Sequence, residues 1–209
     1  MIVNQQEKVK TGTTTVGIIT KDAVILGADK RATMGAFVAS KTAKKIHKID
    51  DHAAATIAGG VADAQYLMDY LSTQSRLYSL RNGRKMSIRA LSKTLSNKLY
   101  SAKRQGPRAI YQVHHLLGGI DEKGPHLFDI GGYGSILEEK FSSTGSGSVF
   151  AYGVLEDGYS GDLDIKAGID LVKRAVNAAI SRDIASGNGI DLVIITRDGF
   201  ERKHSTPVA

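Results

Sequence analysis

The sequence predicts an α+β chain: two stacked antiparallel sheets with pairs of helices on their outer faces. Three observations lead there. Apolar residues follow strand-like runs in the first sixty positions, turn helical between residues 61 and 105, return to strands, turn helical again and close on a hairpin. The elements therefore come in runs rather than in βαβ alternation, which argues for segregated layers. With 209 residues, 42% of them hydrophobic, and no internal linker, repeat or low-complexity stretch, the chain suits one domain with a sizeable core.

Taken in order, "TTTVGIIT" and "AVILGAD" read as two strands joined by a tight turn at "KD". The second is almost wholly apolar, so both its faces are expected to be buried. "AAATIAGG" is a further short strand. Ala64, Leu67, Met68 and Leu71 then recur at helical spacing until Asn82-Gly83. Ser87 caps a second helix with Ile88, Leu91, Leu95 and Leu99 on one face, and Gly106-Pro107 ends it. "AIYQVHHLLGGID", "PHLFDIGG" and "SILEEKFSS" read as three strands separated by "DEKG" and "GGYG". "SVFAYGVLE" reads as a short helix, and "DIKAGIDLVKRAVNAAISRD" as a longer one with Ile165, Ile169, Val172, Val176 and Ile180 inward. "IDLVIITRDGFERK" predicts a hairpin over Arg197-Asp198-Gly199. Residues 1–12 are polar and aperiodic and read as a detachable leader, leaving 13–209 as the single domain.

Composition narrows the function. There is no cysteine, hence no disulfide and no thiolate metal site. No apolar run reaches the roughly 18 residues of a membrane span, and "MIVNQQEKVK" lacks the apolar centre of a secretory signal. A cytoplasmic protein is the expectation. The formal charge of +7 is spread over separate short basic stretches, and aromatics make up only 6%, so no nucleic-acid partner is expected.

Some residues could carry chemistry. Thr13 follows Gly12, and a threonine at a new N-terminus holds a hydroxyl nucleophile and an amine base in one residue. The same pair fits an ordinary strand start. Asp29 ends an apolar strand beside Lys30 and Arg31, as a site acid or a strand-end ion pair. Lys45, if buried near such a terminus, would hold the local potential positive; otherwise it is a surface lysine. "STGSGS", residues 143–148, precedes a helix and offers backbone amides and Ser146, without a P-loop pattern.

Over residues 11–199 the chain resembles proteasome β subunits of the archaeal type. The stretches that carry the resemblance are "TGTTTVGI", "DAVILGADKR", "KTAKKIHKI", "TIAGGVADAQ", "LLGGID", "STGSGSVFAYGVLE", "RAVNAAISRDIASG" and "IDLVIITRDG". The resemblance implies the four-layer αββα sandwich of N-terminal nucleophile hydrolases. It implies cleavage between Gly12 and Thr13, with Thr13 as nucleophile, and catalytic roles for Asp29, Lys45, Ser146, Asp183 and Ser186. Gly59 matches the oxyanion-stabilising position, and Thr33 and Val61 match positions that hold substrate backbone as an added strand. Ala32, Ala43, Ile57 and Val61 would line the main side-chain pocket, with His47 as a polar intrusion. No metal or organic cofactor is implied.

Three functional readings stand at this level. The first is a threonine endopeptidase acting on unfolded protein, in seven-membered rings stacked on α-type rings and fed by an ATP-driven unfoldase. The second is a structural β-ring subunit with little activity of its own. The third is the bacterial two-ring threonine protease, which the "YGVLE" and "RDIASG" segments disfavour. Assembly would bury apolar residues on the first helix pair, with Tyr66, Tyr70 and Leu77 as candidates.

Overall fold

The computed structural model describes residues 12–205; the expected leader, apart from Gly12, lies outside the described residues. Strands β1 (Thr15–Ile19) and β2 (Val24–Asp29) form the first hairpin, closed by a turn in which the Ala23 N–H donates to Thr20 Oγ1 at 3.1 Å. Strand β2 is buried throughout, as its apolar run predicts, and its residues alternate between two cores. The short strands β3 (Ala32–Met34) and β4 (Phe37–Ser40) pair only with each other. Then come β5 (Ile46–Asp50), β6 (Ala53–Thr56) and β7 (Ala58–Gly59).

Helix α1 (Val61–Asn82) ends where Gly83 takes φ +64, the left-handed conformation that glycine adopts without strain. Helix α2 (Ile88–Arg104) begins as expected, with Ser87 Oγ accepting the Ala90 N–H at 3.3 Å. Strands β8 (Val113–Asp121), β9 (Gly124–Gly131), β10 (Ile136–Glu138) and β11 (Phe141–Thr144) follow. The run "SILEEKFSS" is therefore not one strand. It breaks at Glu139-Lys140, and its halves join different sheets, because β10 pairs with β9 whereas β11 pairs with β1. The chain finishes with α3 (Ser148–Gly158), α4 (Ile165–Ile180), β12 (Ile190–Thr196) and β13 (Gly199–Ser205).

The two large sheets are antiparallel, ordered β11-β1-β2-β12-β13 and β10-β9-β8-β6-β5, with β7 on β8. Three apolar cores separate four layers. Leu67, Leu71, Leu91 and Leu95 pack α1 and α2 onto the six-stranded sheet. Leu171, Val172 and Val176 pack α4 onto the other sheet, and Leu26, Leu116, Leu127 and Val193 fill the space between the sheets. The buried stripe of α4 centres on Leu171, Val172, Ala175 and Val176; Ile165, Ile169 and Ile180 pack partly buried at its margins. This is the α+β sandwich of two antiparallel sheets flanked by helix pairs that the order of elements predicts. Among the described residues no helix is long and apolar enough to cross a membrane.

Candidate active site

Register alone gathers the site. Thr15, at the start of β1, lies opposite Ala28 near the end of β2 and opposite Thr144 at the end of β11. Ile190, at the start of β12, lies opposite Asp29. Four chain segments thus meet at one edge of the five-stranded sheet: the entry to β1, the exit of β2, the turn from β11 into α3, and the loop from α4 into β12. They carry Thr13, Asp29, Ser146, and the pair Asp183 and Ser186. The second sheet reaches the same edge through Lys45, just before β5, whose carbonyl accepts the Ile57 N–H at 2.9 Å.

Two polar networks flank Thr13, which is 7% exposed. The first is an ion pair. Lys45 Nζ lies 2.6 Å from Asp29 Oδ1, and the two side chains are 5% and 0% exposed. The Asp29 carboxylate also accepts three backbone N–H groups at 2.9 Å, from Thr14, Arg31 and Gly187. Burial pulls the Lys45 ammonium below its ordinary value of 10.5, against the opposing pull of Asp29. The sequence left open whether Asp29 pairs with its neighbours Lys30 and Arg31. It pairs instead with a lysine sixteen residues on, and Arg31 contributes its backbone N–H.

The second network centres on Asp183. Ser146 and Ser186 each place Oγ 2.7 Å from Asp183 Oδ2 and donate to it. Ser146 Oγ in turn accepts the Thr13 N–H at 3.2 Å. Gly12 precedes Thr13 in the chain, so this nitrogen is an amide. Its position, however, is that of the amine that cleavage after Gly12 would release.

Gly12 itself is tightly held. A Cβ there would meet Ala185 Cβ at 1.8 Å, and its N–H donates to Thr33 Oγ1 at 3.0 Å. The residue expected to hold substrate backbone thus holds Gly12, the residue before Thr13, through its hydroxyl. Gly59 closes β7 with φ +105, and a Cβ there would meet the Gln112 carbonyl at 2.2 Å, so only glycine fits. Of the expected pocket residues, Ile57 is buried, Ala32 and Ala43 are half-buried, and Val61 is exposed at the start of α1. His47 is half-buried, with Nε2 3.1 Å from the Lys44 carbonyl oxygen, and burial lowers its pKa.

Sequence reasoning missed Thr14, Arg31 and Asn188. Arg31 fastens the loop that carries Asp183 and Ser186, donating from Nε to Asn188 Oδ1 at 2.9 Å and from a terminal nitrogen to the Ile184 carbonyl at 2.8 Å. The only local hint was its place beside Asp29. Thr14 looks like any β-branched strand opener until its partners are seen.

The geometry defines a class: a hydroxyl residue at a sheet edge, its nitrogen held by a serine–aspartate–serine network and a buried lysine–aspartate pair at its side. The family model described as proteasome subunit matches residues 9–195, and the chain belongs to that family. It is 46% identical to a protein named proteasome subunit beta from Methanosarcina mazei, over 94% of this chain and 92% of that one. Proteins of the same name from Archaeoglobus profundus and Methanohalophilus mahii are 47% and 49% identical, covering 96% and 91% of this chain and 92% and 90% of their own lengths.

Proposed function

We propose that the chain is a threonine endopeptidase subunit of a proteasome core particle, made active by removal of residues 1–12. The observation that carries this reading is the hydrogen bond from the Thr13 nitrogen to Ser146, which is itself tied to Asp183. A serine placed to accept from an amide N–H is equally placed to orient the free amine that would replace it. A reference α-amino group titrates near 7.7–8.0, so a useful fraction is neutral near pH 7.

In this reading the Thr13 hydroxyl gives its proton to its own amine, and its oxygen bonds to the substrate carbonyl carbon. The Gly59 amide would steady the oxyanion; such a donor is typically worth about 2.7–4 kcal/mol. Collapse breaks the carbon–nitrogen bond, the departing amine takes the proton, and water hydrolyses the ester. The Lys45 ammonium is paired with Asp29, and in this reading it would hold the potential around the reacting oxygen positive. Ala32, Ala43, Ile57 and Val61 form a mostly apolar wall, which favours cleavage after hydrophobic residues. Substrate would be unfolded protein, delivered by an ATP-driven unfoldase into seven-membered β rings stacked on α-type rings. Tyr66 and Leu77, 49% and 38% exposed, and Tyr70 beneath the Lys98 ammonium supply an apolar face for such assembly.

N-terminal sequencing of assembled particles, with peptide hydrolysis by the Thr13→Ala variant, tests the reading. Particles should begin at Thr13, and the variant should be inactive. An intact leader in active particles, or hydrolysis by Thr13→Ala, would refute it.

A further inference from the structure

Thr14 is fully buried, and its Oγ1 lies 2.7 Å from Ser186 Oγ. Which atom donates follows from counting protons. Ser186 Oγ also lies 2.7 Å from Asp183 Oδ2, and an ionised carboxylate only accepts. Ser186 has one proton, and Asp183 takes it. The Ser186 oxygen is then the acceptor toward Thr14, and the Thr14 hydroxyl is the donor. On the other side of the same carboxylate oxygen, Ser146 donates at 2.7 Å and accepts the Thr13 N–H at 3.2 Å. The chain thus converges on Asp183 from both ends, with Thr14 at one end and the Thr13 nitrogen at the other.

We propose that Thr14 is a positioning residue for hydrolysis: its hydroxyl fixes the Ser186 proton on Asp183, and so holds Asp183 and Ser146 in place beside the Thr13 nitrogen. The proposal rests on the threonine-endopeptidase reading above.

Two further observations support it. A Cβ on Gly147 would lie 2.0 Å from Thr14 Oγ1 and 3.2 Å from Asp183 Oδ2, so the turn into α3 leaves space for this hydroxyl and no more. Thr14 also joins the two networks physically. Its backbone N–H donates to Asp29 Oδ1 at 2.9 Å, the oxygen that carries Lys45, while its side chain engages Ser186. Without the hydroxyl, Ser186, 1% exposed, would lose the donor to its buried lone pair and with it a fixed orientation. Hydrogen bonds in series strengthen one another, so the loss would weaken the Ser186 donation to Asp183 and leave the carboxylate that Ser146 also engages less firmly held.

Thr14→Val keeps the β-branch and volume but lacks the hydroxyl; Thr14→Ser keeps the hydroxyl. Both are prepared as assembled particles from fusions whose removal leaves Thr13 as the first residue, so that leader processing does not enter. Steady-state hydrolysis of a hydrophobic reporter peptide is followed across pH. Thr14→Val should lower kcat about tenfold with KM unchanged, the loss of one hydrogen bond in a charged network, and should move the acid limb of the kcat/KM profile. Thr14→Ser should restore both. In a Ser186→Ala background, Thr14→Val should cost nothing further. A Thr14→Val particle with the original kcat and pH profile overturns the proposal. So does a loss that serine fails to restore, or one that adds fully to Ser186→Ala, since either marks simple packing. Thr13→Ala is assayed alongside: activity there would overturn the endopeptidase reading and this proposal together, whereas an inactive Thr13→Ala beside an unchanged Thr14→Val overturns this proposal alone.

Discussion

Replacing Lys45 with methionine keeps the length of the side chain and deletes its charge. Asp29, 0% exposed, would then lose the ammonium 2.6 Å away. Removing one partner of a buried ion pair typically costs about 3–5 kcal/mol, because the remaining charge stays buried. Three backbone N–H groups, each at 2.9 Å, still hold the Asp29 carboxylate, so the expected loss is at the low end, about 3 kcal/mol. For a domain of this size that lowers the melting temperature by about 6–12 °C. Peptide hydrolysis and leader removal should both disappear while the fold persists. Lys44 is the internal control. It is exposed, and Lys44→Ala should change stability by less than about 0.5 kcal/mol and leave activity intact. Thermal melts at matched particle size, with a peptide assay on the same samples, read both quantities. A folded Lys45→Met particle with full activity would refute the reasoning. If Lys44→Ala were the sensitive variant, the assignment would be wrong by one residue.

His115 predicts a specific loss of stability in acid. Burial pulls its imidazole from 6.5 down to about 4, with Nδ1 2.9 Å from the Thr56 carbonyl oxygen. The unfolded chain takes up that proton first, so stability is full above pH 6.5 and falls toward pH 4 by at most about 3 kcal/mol. Urea titrations between those limits should show a shallower decline for His115→Leu, and an unchanged slope would count against the assignment. Gly12→Ala tests the grip on the leader. Its Cβ would fall 1.8 Å from Ala185 Cβ, so the scissile bond must shift and leader removal should slow or stop. Intact-mass analysis showing processing at the original rate would contradict this.

What the sequence by itself determined is whatever local periodicity records. The long helices α1, α2 and α4 were legible because each buries a stripe against one sheet, and so repeats every three or four residues. Strand β2 was legible because both its faces are covered. The family resemblance marked Thr13, Asp29, Lys45, Ser146, Asp183 and Ser186 as candidates by position, with Ser146 expected beside the Thr13 amine and Asp183 and Ser186 in support, but without the individual contacts between them. Strands β3 and β4 carried no such signal, since they are short, largely exposed and paired only with each other. The break between β10 and β11 was hidden too, because strand propensity does not tell which sheet a residue will join. Only the tertiary structure decided that Asp29 takes Lys45 rather than Lys30 or Arg31, and that Thr14 reaches Ser186 across 172 residues of chain. The reason is physical. Periodicity reports how a segment is buried, whereas a hydrogen bond between distant residues depends on which strands lie side by side and in what register.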